Sequence, residues 1–302
     1  MIRREIFLLL CCLVINITQT YAQSTNSSEP IVLEALFELP VVPDEITDIM
    51  QRSNYFVEHF WDPMDFKQTA VGQHQLNHAF SEYVVGLRFC DRTVAMKSVE
   101  KLISKLNKNT TLLYQFTRAA EDNLYSETAE IWIDEIYLKF IEAVVKNKKI
   151  KKERKIRYIT QYESLKNSII GSKAQKFEFI DRSGTKTMFS AEAKPTIIIF
   201  GSPDCIDCMM TKVRLNSDEK IIQLAKDNEI KIYFIIPDGG DDNWKNMVAD
   251  YPHYWTVGVS DSVSDIYDIR LSPTIYLLNS ERKIELKNVA IETIISTIIK
   301  NN

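Results

Sequence analysis

The chain has 302 residues, 45% hydrophobic and 26% charged, with a formal net charge of −4. At about 150 residues per domain, that length suggests two domains with cores large enough to need no metal or disulfide staple. The apolar content excludes a disordered chain, 8 Gly and 9 Pro exclude a collagen-like one, and so mild a negative charge gives no electrostatic case for nucleic acid or an anionic membrane.

Arg3 and Arg4 make a short positive start, followed by 12 mostly apolar residues from Ile6 to Ile17 and then by Thr20-Tyr21-Ala22. The apolar stretch is too short to span a bilayer, and the order of parts is that of a secretory signal peptide, residues 1–22, cleaved after Ala22. Bulky Leu10 before Cys11 argues against lipid attachment at Cys11 or Cys12, and the text around Arg3-Arg4 fits a twin-arginine signal poorly. A retained or lipidated signal would instead leave the protein membrane-associated. Residues 23–30 are polar and read as a flexible tether. Cleavage leaves three cysteines, Cys90, Cys205 and Cys208, in a compartment where disulfides persist. Cys90, in Gly86-Leu87-Arg88-Phe89-Cys90, reads as a packed small hydrophobe.

Residues 31–170 carry helical periodicity. One helix starts at an Asp91 N-cap and aligns Val99, Leu102, Ile103 and Leu106. A shorter one covers Leu112 to Leu124. A third aligns Ile133, Ile136, Tyr137, Phe140, Ile141 and Val144 on a single stripe, the mark of a core-facing helix. A fourth carries Ile156, Ile159 and the Ile169-Ile170 end. These predict an all-α bundle or array. His74 and His78 lie one turn apart, but Gln75 stands where a zinc protease needs Glu, so a polar helix face is the reading. Lys146–Arg157 holds eight basic residues and one acid. It reads as a solvated turn between helices, with phospholipid headgroups as the alternative.

From Gly171 to the C-terminus, residues 171–302, the text changes. Lys176-Phe177-Glu178-Phe179-Ile180 alternates as a half-buried strand, and Asp181-Arg182-Ser183-Gly184 is turn chemistry. Pro195–Phe200, Lys231–Ile236 and Thr274–Leu278 are apolar, β-branched runs expected of strands covered on both faces, and Arg282–Leu286 is a further strand. Helical text lies at Met209–Asn228 and Trp244–Asp250. Alternation of this kind predicts an α/β domain around a central sheet. Asp238-Gly239-Gly240-Asp241-Asp242 lacks calcium-loop spacing and reads as a plain loop, and His253 as part of a loop aromatic cluster. No phosphate-binding glycine loop and no G-x-S-x-G is present.

The chemistry concentrates in Phe200-Gly201-Ser202-Pro203-Asp204-Cys205-Ile206-Asp207-Cys208. A buried strand ends, a turn follows, and a helix begins at the first cysteine. A helix N-terminus offers unpaired N–H groups and partial positive charge, both of which favour a thiolate. The spacing puts the two sulfurs one turn apart, so that Cys205 can attack a disulfide and Cys208 can resolve the mixed disulfide. Two donors are too few for zinc, while soft thiolates suit Cu(I), which leaves a copper- or haem-handling role as an alternative; Met209 and Met210 read as a buried helix face.

Residues 171–302 resemble the thioredoxin superfamily, and within it the exported TlpA/ResA-like thiol-disulfide oxidoreductases. The resemblance rests on the segment around Cys205 and Cys208, on Gly171–Gly184, and on Tyr267-Asp268-Ile269-Arg270-Leu271-Ser272-Pro273-Thr274-Ile275. It implies a thioredoxin-like mixed sheet flanked by helices and a redox-active Cys205–Cys208 disulfide. It also implies a cis-proline at Pro273 against the cysteines, and a Ser272 backbone that pairs with bound substrate chain. Protein disulfides would be the substrates, a thiol carrier (membrane-bound in one version) the electron donor, and no cofactor is implied. Residues 31–170, through Tyr55–Asp62, Asp65-Phe66 and Leu124-Tyr125-Ser126, resemble an uncharacterised helical domain of exported Bacteroidetes proteins, which implies a periplasmic address and an unknown partner, but no activity.

Three departures matter. Asp204 stands where relatives often carry Trp, and Ile206-Asp207 lacks the common Pro. The two acids would disfavour a Cys205 thiolate, which predicts a reductant or isomerase-like poise. Ile199 occupies the position where thioredoxin places a buried acid that assists the second cysteine. The competing reading is a non-redox binding or scaffold module, which a Cys205 shut away from solvent would favour.

Overall fold

The computed structural model describes residues 35–240 and 243–301. The signal peptide with its cleavage site, Cys11 and Cys12, the tether, and Asp241-Asp242 lie outside the described residues.

Helices come first: α1 (Ile49–His59), α2 (Gln73–Phe89), α3 (Arg92–Leu106), α4 (Thr110–Leu124), α5 (Asp134–Lys146) and α6 (Lys152–Lys166). Asp91 caps α3 as its sequence demands, accepting from the Thr93 and Val94 N–H groups, and Asn109 does the same for α4. The stripe of α5 is buried from Ile136 to Val144. The core is aromatic: Phe60, Trp61, Phe80, Tyr83, Phe116 and Phe140 are all buried, with Trp61 set edge-on to Phe60, Tyr83 and Phe116. Ser98 sits inside it, donating to the Val57 carbonyl at 2.8 Å and meeting the Tyr83 hydroxyl at 2.8 Å.

Two features depart from the sequence reading. α1 and α2 add to the helices read from the sequence: α1 buries only Val57, and the inward face of α2 mixes Leu76, Val84 and Leu87 with aromatic and small residues. The fourth helix buries Tyr158, Ser164 and Leu165, while Ile156 is exposed and the helix stops before Ile169. The basic residues of its first turns stay in water, so the buried face begins two positions later than the isoleucines suggested. No described helix is long and apolar enough to cross a membrane.

The second half forms one seven-stranded sheet: β1 (Phe177–Asp181), β2 (Lys186–Phe189), β3 (Thr196–Phe200), β4 (Lys231–Pro237), β5 (Thr256–Ser260), β6 (Thr274–Leu278) and β7 (Ile284–Lys287), in the spatial order β2-β1-β5-β4-β3-β6-β7. β3 is parallel to β4 and antiparallel to β6, so the sheet is mixed, as expected. β2, β5 and the final helix α10 (Ile291–Asn301) add to the elements read from the sequence. The helical text after β3 breaks into α7 (Ile206–Leu215) and α8 (Glu219–Lys226), where Asp218 caps the second helix. A single turn, α9 (Trp244–Met247), follows β4.

Every residue of β3 and β6 is buried. Strand alternation then divides the side chains. Ile197, Ile199, Ile275 and Leu277 pack with Cys208, Leu215, Ile221 and the α10 residues Ile294, Ile295 and Ile298. Ile198, Phe200, Tyr276 and Leu278 pack with Phe177, Phe189 and Tyr267 on the other face. The end of β3, the start of α7 and the start of β6 therefore meet at one edge of the buried core.

Candidate active site

Cys205 is the N-cap of α7. Its sulfur accepts a hydrogen bond from the Cys208 N–H at 3.3 Å, which satisfies one of the donors a helix start leaves unpaired. Cys205 is half-buried and Cys208 buried, and both are free thiols. The Cys205 sulfur is thus partly open to solvent, and Cys208 lies beneath it.

The Ser272–Pro273 peptide is cis, and the chain there runs directly against the thiols. Cys205 donates to the Ser272 carbonyl at 3.2 Å, while the Ser272 hydroxyl lies 3.3 Å from the Cys208 sulfur and accepts from the Ser202 N–H at 3.3 Å. Residues from three segments, Ser202, Cys205–Cys208 and Ser272, thus surround the two sulfurs. Gly201 permits the approach: a Cβ there would stand 2.5 Å from the Cys208 sulfur and 3.4 Å from the Ser272 hydroxyl. Only a residue without a side chain fits between β3 and Cys208.

Contacts nearer than Asp204 and Asp207 set the electrostatics of Cys205. Burial alone would raise the Cys205 thiol, but hydrogen bonds from Cys208, Ser272 and the backbone N–H groups of Cys208 and Asp207 outweigh it, and the thiol is held below its ordinary value of 9.0. Asp204 and Asp207 are exposed, and Asp204 accepts from the Ser202 hydroxyl. Their charges are screened by water, whereas the N–H groups act at contact distance. Cys208 behaves oppositely: burial first, then the neighbouring Cys205, push it up to about 12, with only partial relief from Ser272. Ile199 is buried in the same cluster as Cys208.

A correction concerns α7. Met209 and Met210 are not a buried face. Cys208, Thr211 and Leu215 take the inward positions, which turns Ile206 (71% exposed), Met209 (41%), Met210 (62%) and Val213 (57%) outward along one stripe next to Cys205. Leu271, beside Ser272, is also exposed. The i, i+3, i+4, i+7 spacing was visible in the sequence; its direction was not.

None of the remaining candidates is among the described contacts of the thiols. Cys90 packs at the edge of the helical core, where burial raises its thiol. His74, His78 and His253 are exposed. Among the described residues, no group of three or more His, Cys, Asp or Glu is placed to hold a metal ion. In the basic run, Lys146 pairs with Glu142, Arg157 with Glu121, and Lys155 donates to the Val145 and Asn147 carbonyls. The run lies at the α5–α6 turn, and with Arg154 over the Tyr114 ring, four of its eight basic residues are engaged within the chain.

The comparisons agree with this layout. Residues 15–168 match the model of a family described as a domain of unknown function, DUF5106. No curated protein matches the chain. A crystal structure of a thioredoxin-like protein from Bacteroides caccae superposes with a TM-score of 0.74 at 24% identity, over 89% of this chain and 100% of that one. The fold of helices followed by a thioredoxin-like sheet is therefore shared across both halves. The thioredoxin domain of a thiol-disulfide oxidoreductase from Bacteroides vulgatus is 24% identical, with a TM-score of 0.39 over 44% of this chain and 97% of its own. A conserved protein of unknown function from Bacteroides fragilis is 26% identical, with a TM-score of 0.41 over 43% and 99%.

Proposed function

The chain belongs to the DUF5106 family, and we propose that it is an exported, periplasmic thiol-disulfide oxidoreductase acting on protein disulfides through Cys205 and Cys208. The observation that carries this reading is the solvent-reachable Cys205 thiol at the N-terminus of α7, stabilised as a thiolate by the Cys208 N–H and touching the Ser272 carbonyl.

The Cys205 thiolate attacks one sulfur of a substrate disulfide. A Cys205–substrate bond forms, and the other substrate sulfur leaves as a thiolate. Cys208 gives up its proton and its sulfur attacks Cys205, which releases the second substrate thiol and leaves a Cys205–Cys208 disulfide. Two electrons pass to the substrate, and a thiol donor, a membrane carrier in the simplest arrangement, must return them. The Ser272 hydroxyl, 3.3 Å from the Cys208 sulfur, is a polar group in contact with the resolver and can stabilise its thiolate. A reactive first thiol beside a resolver that ionises reluctantly prolongs the mixed disulfide. That favours isomerase-like exchange, with net reduction whenever Cys208 completes the cycle. The apolar stripe of α7 and Leu271 flank the nucleophile and suit a polypeptide with exposed apolar side chains better than a small thiol.

A redox titration of the purified chain, with mass spectrometry reading the Cys205–Cys208 state, tests the proposal. A reversible two-electron transition is expected, absent in Cys205→Ser, while Cys208→Ser accumulates mixed disulfides. No transition in the unaltered chain would turn the reading to a binding module. A potential near DsbA's, about −120 mV, would overturn the reducing and isomerase-like poise.

A further inference from the structure

We propose that the helical half tunes the thiol site through Asp134 and Tyr125, which hold Arg270 and Asp268 and so place the Ser272 carbonyl and hydroxyl against the two cysteines. The inference rests on the reading of Cys205 as the nucleophile and assigns the helical half a part in its reactivity.

The contacts run in one unbroken path. Asp134, the first residue of α5, accepts from Arg270 at 2.6 Å and from Lys287 at 2.5 Å. Tyr125, just after α4, accepts from Arg270 through its carbonyl at 3.0 Å and donates through its hydroxyl to Asp268 at 2.8 Å. The guanidinium lies between two rings of the helical half, 4.3 Å from Tyr125 and 4.4 Å from Trp132. Arg270 and Lys287 close the cluster on Asp268 at 2.9 and 2.6 Å, and the Asp268 N–H donates to Ser168 at 2.9 Å. Arg270 stands two residues before Ser272, and the Leu271 backbone between them is clasped in both directions by the Thr274 hydroxyl. Little slack separates the cluster from the thiols.

Burial makes the device stiff. The side chains of Asp268, Arg270 and Lys287 are nearly inaccessible, whereas most ion pairs within the helical half are exposed. A buried charge network has few alternative geometries, since each displaced partner leaves an uncompensated charge. A shift of the α4–α5 connection must therefore move Arg270 with it. Because the Ser272 groups reach the sulfurs at 3.2 and 3.3 Å, a displacement of about 1 Å breaks those contacts. Asp134, Tyr125, Asp268 and Arg270 are positioning residues, since none touches a cysteine.

The test uses the full chain carrying Asp134→Asn, or Tyr125→Phe, which keeps the ring on Arg270 and removes a single hydroxyl. Arg92→Ala, which breaks an exposed pair with Glu135 on the same turn of α5, is the control. Iodoacetamide alkylation of Cys205 is followed from about pH 5 to pH 9, alongside the equilibrium constant of the Cys205–Cys208 couple with dithiothreitol and thermal unfolding. In Asp134→Asn, the rate of alkylation at neutral pH should change about three- to tenfold, with the pH profile and the dithiothreitol equilibrium displaced with it. Tyr125→Phe should change in the same sense by less, and Arg92→Ala should match the unaltered chain. Profiles and equilibria unchanged in a folded Asp134→Asn, or in Tyr125→Phe if the first variant does not fold, would overturn the inference. Failure of the unaltered chain to titrate would instead overturn the functional reading itself.

Discussion

The two halves use the same charged residue types to different ends. In the helical half, Lys101–Asp62, Lys139–Glu100 and Lys146–Glu142 lie in water, where such pairs contribute little, and the stability of that half comes from its aromatic core. In the loop before β6, Asp268 and Arg270 are sealed from solvent and joined by Lys287. The long basic run around the α5–α6 turn looks more eventful in the sequence, yet partners within the chain and water absorb it. Charge carries consequences here where burial removes the competition of water, and the loop that bears Ser272 and Pro273 is such a place.

Substitution of Asp268 should break this comparison or confirm it with the largest effect. Asp268→Asn leaves Arg270 and Lys287 sharing Asp134, and disrupting a buried network of this kind costs about 3–5 kcal/mol. Urea unfolding should show that loss, against no measurable change for Lys139→Ala. Equal effects would mean that the seam is no stiffer than the surface. The pH dependence has a definite sign. Burial opposes the Asp268 charge, but Lys287 and Arg270 more than compensate and hold its carboxyl below the ordinary 3.8. Its contribution is therefore complete above that value and is lost as pH falls through the lower folded value. Acid unfolding of the unaltered chain should steepen below about pH 4, and Asp268→Asn should flatten that limb.

Two glycines sharpen the contrast at smaller cost. A Cβ on Gly201 meets the Cys208 sulfur at 2.5 Å, and one on Gly86 meets the Phe56 ring at 2.8 Å, where α1 crosses α2. Either alanine overpacks its site, and each should cost about 1–3 kcal/mol. Only Gly201→Ala should also slow closure of the Cys205–Cys208 disulfide, measured by quenched alkylation after an oxidant pulse. A comparable slowing in Gly86→Ala would show that Cys208 responds to any loss of stability, and the local argument would fall.

The sequence made the second half legible because its signals are local. The β-branched runs, the strand–turn–helix around Cys205 and the Ser272-Pro273-Thr274 stretch each announce themselves within a dozen residues. The helical half was read from aliphatic stripes, so α3, α4 and α5 emerged while the aromatic, mixed faces of α1 and α2 did not. At the site, pairwise sequence logic failed where geometry decides. Asp204 and Asp207 are the nearest charges in sequence, but backbone N–H groups and Ser272 are the nearest in space. Nothing local links Asp134 to Arg270, 136 residues away, and that link exists only in the fold.

The exposed stripe of α7 gives the smallest expected effect and a direct separation of chemistry from recognition. Met210 and Val213 are 62% and 57% exposed, much like Ile156 at 57% in the helical half, so exposure alone does not distinguish them. Position does: the α7 pair continues the face that starts at Ile206 beside Cys205, and Ile156 does not. Removal of one apolar side chain from a contact is worth about 1 kcal/mol, or about fivefold. Met210→Asp and Val213→Asp should each slow reduction of a protein disulfide by about that factor, while exchange with oxidised glutathione and the pH profile of Cys205 alkylation stay as they are. Ile156→Asp should alter neither. If the α7 variants slow both substrates equally, the stripe acts on the thiol and not on the partner. If they slow neither, the apolar face lies outside the path of the substrate chain, and recognition falls to the Ser272 backbone and Leu271.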